Sequence, residues 1–270
     1  MKDIVSLYRV ILLDFKKAIF SKRFILALVG IIILNFIDLL DYIEIDPGVT
    51  VCYLFNIKGS TGGFSVCSML FLTSVPYASS FYTDYKSNNY KFEIVRSDIL
   101  KYSIGKVLAT VTVAIMTSLL VYIILACLLG VFIPIFPTNE LALRVACGTQ
   151  KGIFTDLLTT NFKWLYIVCI LLAESLMYGF LAGVALYIST ISSNPFVIFS
   201  SPIIVFNAWG SLFNTGLLPD VLRWHIFDGI FMEEAGLGLN MVLTILYYSI
   251  FFVFITIAFV KGVKRRVANG

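Results

Sequence analysis

The chain has 270 residues, of which 59% are hydrophobic and 13% charged, and a formal net charge of +4; its mean hydropathy is +0.94. Soluble domains carry about 25% charged residues, so a purely water-solvated globule is excluded and lipid must form part of the solvent. The length holds one membrane domain, taken here as 1–270, but not several spans plus a separate enzyme domain, and the +4 charge is no nucleic-acid signal because the basic residues sort by membrane side.

Residues 1–22 come first. Ile4, Leu7, Tyr8, Ile11, Leu12, Phe15 and Ile19 fall near one face at helical spacing, with Lys2, Arg9, Lys16 and Lys17 on or near the other. Asp3, Arg9, Asp14, Lys16 and Lys17 interrupt any continuous apolar core, so a cleavable signal peptide is not expected. The expectation is an amphipathic helix in the cytoplasmic interface. A soluble helix packed on cytoplasmic protein is the alternative, and the basic flank Lys22–Arg23 favours the interface.

A helix needs about 20 apolar residues to cross the hydrocarbon core. Six stretches qualify: Phe24 to Leu40, Phe64 to Phe81 with Pro76 near its end, Ile104 to Ile133 before Pro134 and Pro137, Trp164 to Ile191, Phe196 to Phe213, and Met241 to Val260. Ser192, Ser193, Asn194 and Pro195 are turn formers, and they divide the fourth and fifth. The predicted fold is all-α, with six transmembrane helices. Placing the N-terminus inside leaves only Lys58, Arg144, Lys151, Lys163 and Arg223 outside; the other 15 of the 20 basic residues are then cytoplasmic. The positive-inside rule therefore predicts both termini in the cytoplasm. Asp38, Asp41, Glu44 and Asp46 cluster at the outer end of the first span.

The longest polar run on the inner side is 82–106. Phe92, Val95 and Ile99 give it a short apolar edge, and Ser97 and Asp98 are candidate helix caps. Such an edge suits a docking element for a partner protein; a solvated loop with surface charges is the plain alternative. The run ends in Ser97-Asp98-Ile99-Leu100-Lys101-Tyr102-Ser103-Ile104-Gly105-Lys106, with a Gly-Lys pair as the third span begins.

This order of N-terminal helix, span, outer segment, span and inner polar loop resembles the type-2 permeases of ABC exporters. The turn Ile188 to Asn194 before Pro195, an outer segment at 214–240 and a short basic C-terminal tail add to the likeness. The inner loop departs from the family at Ser87, Asn88 and Asn89, where more charge is usual. The resemblance implies a transport subunit that is not itself an enzyme, sits as a multi-pass protein in a cell membrane, such as a bacterial plasma membrane, and moves an amphipathic or hydrophobic substrate, a peptide or a lipid, outward. It implies a separate cytoplasmic ATP-binding subunit holding ATP and Mg, a second permease chain, identical or different, and Asp84, Lys86, Phe92, Arg96 and Asp98 as the contact with the ATPase. No G-x-x-x-x-G-K-[ST] loop occurs; Gly59-Ser60-Thr61-Gly62-Gly63 lacks the lysine.

Within the spans, Glu174 costs about 2.5–3.5 kcal/mol at the bilayer centre and should face protein or water. It is either a pathway contact or a structural hydrogen-bond partner of Tyr178 or Ser175. Asn207 is the other candidate for pathway or packing, and Asn35 also lies at membrane depth. Ser175, Gly179 and Gly183 recur every four residues and suit close helix packing. The five cysteines, Cys52, Cys67, Cys127, Cys147 and Cys169, and the one histidine, His225, form no metal or redox motif. A Cys52–Cys147 disulfide is conceivable; ordinary small apolar residues are the simpler account. Trp164, Trp209 and Trp224 suit aromatic belts. A self-contained channel or secondary transporter is the main competing function, but no internal repeat supports it; an intramembrane enzyme would need paired acids or His and Cys inside spans.

Overall fold

The computed structural model describes residues 2–45, 49–55, 64–138, 157–158, 162–214 and 237–268. Most of these residues are helical, with no strand among them. In chain order the helices are α1 (Lys2–Ile19), α2 (Lys22–Ile45), α3 (Phe64–Ser74), α4 (Ser80–Lys86), α5 (Asn89–Ser97), α6 (Ile99–Leu129), α7 (Lys163–Ile188), α8 (Pro195–Asn214) and α9 (Leu237–Ala268). Five of them, α2, α6, α7, α8 and α9, are long and apolar enough to cross a bilayer. The chain is therefore compatible with a multi-pass membrane protein. The expected outer segments fall largely outside the described residues, and with them Gly59–Gly63, Cys147, Trp224 and His225.

Helix boundaries follow local chemistry. Ser21 caps α2: its hydroxyl accepts from the Phe24 N–H at 3.1 Å and donates to the Ala18 carbonyl at 2.7 Å. Asn194 caps α8, its side-chain oxygen accepting from the Phe196 N–H at 3.0 Å, with Pro195 at the first helical position. Pro202 inside α8 leaves the Ile198 carbonyl without its helical donor. The Ser201 hydroxyl donates to that carbonyl instead, at 2.7 Å.

The expected second span ends early. Helix α3 has 11 residues, about 16 Å at 1.5 Å per residue, and it stops at Ser74. Pro76 disfavours helical backbone in the residue before it and cannot donate to the ladder. The turn at 75–79 is nonetheless enclosed, with Pro76, Tyr77, Ala78 and Ser79 buried. Its backbone stays bonded through Ala78 N–H to Ser74 O (3.0 Å) and Ser80 N–H to Tyr77 O (2.9 Å). Irregular backbone at membrane depth is tolerated in that setting.

Helix α7 is the centre of the bundle: 72% of its apolar window is buried, against 22% for α2, α8 and α9. Gly179 and Gly183 explain how neighbours come so close. A Cβ on Gly179 would lie 2.7 Å from Ile115 Cγ1 of α6, and one on Gly183 would lie 3.3 Å from Ile255 Cγ2 of α9. Both glycines thus face helices of the same chain. Helices α2 and α3 are tied by polar groups: Ser65 donates to Asn35 Oδ1, and Asn35 Nδ2 donates to Ser68 Oγ at 3.3 Å.

The two ends of the bundle differ. At one end, 51–55 packs on the segment after α6 through Val51 N–H to Pro134 O (3.1 Å) and Cys52 N–H to Ile135 O (3.2 Å). At the other end lie α1, the start of α2, α4, α5 and the end of α9. There Phe81, Tyr90, Tyr102, Leu186, Phe259 and Val263 form a second apolar cluster. This second end is called the basic end below.

Candidate functional site

The basic end is organised by a lysine. Helix α6 starts at Ile99, earlier than the expected span, so Lys106 sits in its third turn rather than at a loop boundary. Its side chain is 1% exposed. An ammonium group taken out of water must be paired and hydrogen-bonded, and here the partners come from four other segments. Lys106 Nζ lies 2.6 Å from Asp84 Oδ2 of α4 and 3.4 Å from Asp14 Oδ1 of α1. It donates to the Tyr77 hydroxyl at 3.1 Å, and Glu93 Oε2 of α5 stands 4.0 Å away. The rings of Tyr77 and Tyr102 flank the ammonium at 5.1 and 5.4 Å.

The acids are bridged in turn. Tyr77 donates to Asp14 Oδ1 at 2.5 Å, and Tyr102 donates to Asp84 Oδ2 at 3.1 Å. Lys17 of α1 pairs with Glu93 Oε1 at 2.9 Å. Arg23 of α2 donates to the Ser79 hydroxyl at 3.0 Å. The cluster joins α1, the turn after α3, α4, α5 and α6 in one network. Among the described residues no group of three His, Cys, Asp or Glu is placed to hold a metal ion; these carboxylates are arranged around a lysine instead.

Sequence order hid this hub. Lys106 and Asp14 are 92 positions apart, so no local pattern joins them. Two signals existed. Lys106 is followed directly by an apolar run, and Asp14 shares a helical stripe with Val10 and Ala18. That stripe is the face of α1 that packs on α6: Asp14 and Ala18 are buried, and a Cβ at Gly105 would lie 2.8 Å from Val10 Cγ1. The hydrophobic face expected from periodicity is half-buried: Phe15 and Ile19 pack beside Ala18 against Phe24 and Tyr77, Ile11 and Leu12 are partly covered, and Tyr8 is 63% exposed. Leu13 and Phe20 are exposed as well.

The inner-loop residues separate into two groups. Asp84 faces inward to Lys106. Lys86, Phe92, Arg96 and Asp98 remain on the surface, and Phe92, Val95 and Arg96 give α5 an exposed apolar and basic face. Asp98 forms the corner between α5 and α6. Its φ of 71° and ψ of 150° are a backbone state kept almost entirely to glycine, costing about 1–3 kcal/mol. Its side chain accepts from the Ile99 N–H at 2.7 Å and caps α6.

Glu174 lies near the middle of α7 and is 7% exposed. Tyr122 of α6 donates to its Oε2, and the Tyr122 and Tyr178 hydroxyls are 3.4 Å apart. Ser175 is buried and donates to the Leu171 carbonyl at 2.5 Å. A groove of about 260 Å³ runs nearby between α6, α7 and α9, lined by Leu172, Leu176, Ile245 and Phe252, but Glu174 does not line it. Asn207 is on the exposed side of α8 and donates to the Ile203 carbonyl of its own helix at 2.9 Å.

At the opposite end Cys52 is buried, and that burial pushes its thiol up to about 12. Comparison with protein-family models, with curated proteins and with solved structures finds no match for this chain.

Proposed function

We propose that the chain is the membrane-spanning permease subunit of an ABC exporter of the type-2 kind, working with a separate ATP-binding subunit and a second permease chain. The observation that carries this reading is the pinned α4–α5 unit. Its inner side is clamped to α6 and α1 through Asp84, Glu93 and Lys106, while its outer side offers Phe92 (68% exposed) and Val95 (86% exposed) beside Arg96. An element exposed on one side and clamped on the other transmits force. A push on α5 by a docked protein passes through the ion cluster into the long helix α6. The absence of a phosphate-binding loop in the sequence fits an energy source on another chain.

Six spans and cytoplasmic termini are part of the proposal. Helix α2 begins beside Ser79 at the basic end, through Arg23, and α6 also begins at that end. Helix α2 runs toward the end where Val51 meets Pro134. The chain between α2 and α6 must therefore return, and α3 with the enclosed turn at 75–79 is the return crossing. The positive-inside rule places the basic end in the cytoplasm. Helix α1 lies there at the interface, its exposed Tyr8, Leu13 and Phe20 meeting lipid. Outward movement rests on the resemblance described above, and an amphipathic or hydrophobic substrate, a peptide or a lipid, on the apolar, aromatic spans.

Co-purification tests the proposal. The chain is expected to bring down an ATP-binding subunit from its native membrane, and Val95→Asp to lose that subunit while keeping its own thermal stability. Substrate or ion flux through vesicles holding the purified chain alone would overturn the proposal in favour of a self-contained channel or carrier.

A further inference from the structure

A second feature of the basic end plays no part in the clamp. A cavity of about 520 Å³ opens between the last turn of α7, the C-terminal part of α9 and Tyr85 of α4. One wall is a single face of α9. Ile257, Ala258, Lys261 and Arg265 stand three, four, seven and eleven residues after Phe254, which stacks them along one side of a helix. The stripe changes character along its length, apolar at Phe254 and Ile257 and cationic at Lys261 and Arg265. Phe254 to Arg265 spans about 16 Å at 1.5 Å per residue.

The cations are differently held. Arg266 is fixed, its guanidinium 4.8 Å from the Tyr85 ring centre and donating to the Ile191 carbonyl at 3.5 Å. Lys261 and Arg265 are exposed, and among the described residues no carboxylate lines the cavity. Gly262 sets the closeness of the walls, since a Cβ there would run into the Thr190 side chain. The volume far exceeds the roughly 30 Å³ of one water, enough for a headgroup and its first methylenes. A small soluble anion would use only the cationic end and leave Phe254 and Ile257 bare to lipid.

We infer that this cavity is a binding site for an anionic glycerophospholipid, its phosphate held by Lys261, Arg265 and Arg266 and an acyl chain lying along Ile257 and Phe254. Basic pockets between helices at the inner surface take headgroups of this class. The inference requires only that α9 lies in a bilayer; it does not depend on the exporter reading. Bound lipid would brace the end of α9 against α7 and α4, next to the clamp.

Native mass spectrometry of the detergent-solubilised chain tests it, with palmitoyl-oleoyl phosphatidylglycerol and phosphatidylcholine of the same acyl chains added separately. One Lys or Arg beside an anionic headgroup contributes about a fivefold preference, so Lys261 and Arg265 together give roughly 25-fold for the phosphatidylglycerol adduct. Lys261→Gln/Arg265→Gln should bring the two lipids to parity, whereas Lys91→Gln/Arg96→Gln, which alters α5, should not. Equal loss in both variants would show diffuse surface attraction and overturn the site. Displacement of the lipid by millimolar inorganic phosphate would overturn the lipid assignment. An independent arm uses phosphatidylglycerol with a photoreactive diazirine near the start of one acyl chain. Labelling of unmodified protein should map to 254–258, and labelling spread evenly over the lipid-facing helices would also overturn the inference.

Discussion

Replacing Lys106 by methionine keeps most of the side-chain volume and removes the charge. The partners left behind decide the cost. Asp14 is 2% exposed and Asp84 16% exposed, so at least one carboxylate stays buried without its counter-ion. Breaking a buried pair in this way costs about 3–5 kcal/mol, most of it the penalty of the orphaned charge rather than the worth of the pair. A double-mutant cycle isolates that penalty. Asp14→Asn alone leaves Lys106 paired with Asp84 at 2.6 Å and should cost less, about 1–3 kcal/mol for a hydrogen bond to a charged group. Lys106→Met/Asp14→Asn should be more stable than the sum of the singles by about 2 kcal/mol. The assay is reversible denaturation of the chain in mixed micelles. A cost below about 1 kcal/mol for Lys106→Met, or strict additivity in the cycle, would refute the view of Lys106 as the buried hub.

Three further outcomes follow from the geometry. Gly105→Leu should detach α1 from α6, because the first added carbon already lies 2.8 Å from Val10 Cγ1; protease cleavage between α1 and α2 should become faster, and overpacking should cost about 1–3 kcal/mol. Glu174→Gln should leave stability within about 1 kcal/mol, while Glu174→Leu should cost about 1–3 kcal/mol by depriving Tyr122 of its acceptor; normal transport by a well-assembled Glu174→Gln would reduce the residue to a brace between α6 and α7. Cys52, pushed up to about 12 from an ordinary 9.0, should resist N-ethylmaleimide at pH 8 in the folded chain and react once the chain is unfolded. Because its folded value is raised, Cys52 contributes stability that is whole below pH 9 and drains as pH climbs toward 12, so unfolding should become easier over that window and Cys52→Ala should flatten the dependence.

Hydropathy and turn chemistry made much of the bundle legible. Five long apolar helices overlap five of the expected spans, α9 running eight residues past its expected end at Val260 to Ala268, and the division before Pro195 follows from Asn194 as a cap. Physical context overrode the sequence pattern in three places. Pro76 ends α3 well before the apolar run does, since a hydropathy window is blind to a missing N–H. Helix α1 turns Asp14 and Ala18 fully inward and leaves its apolar side only half-buried, because a close approach at Gly105 and an ion pair decide its docking. Lys106 and Asp84 look like ordinary loop charges in a tally of basic and acidic residues; only the fold brings them within 2.6 Å. Of the apolar edge expected in the inner loop, Phe92 and Val95 are exposed together on α5, whereas Ile99 falls beyond the Asp98 corner in α6.

The distance in sequence between Asp14 and Lys106 also imposes a timetable on synthesis. The two are 92 residues apart, and ribosomes add about 5–20 residues per second, so the acid leaves the ribosome roughly 5–20 s before the only partner able to neutralise it from within α6. Over that interval α1 cannot take its final seat, and its carboxylate has to wait in water or under the care of the insertion machinery. Helix α1 therefore waits for α6 before it docks, and its arrival joins α1 to the turn after α3, α4, α5 and α6 in one network.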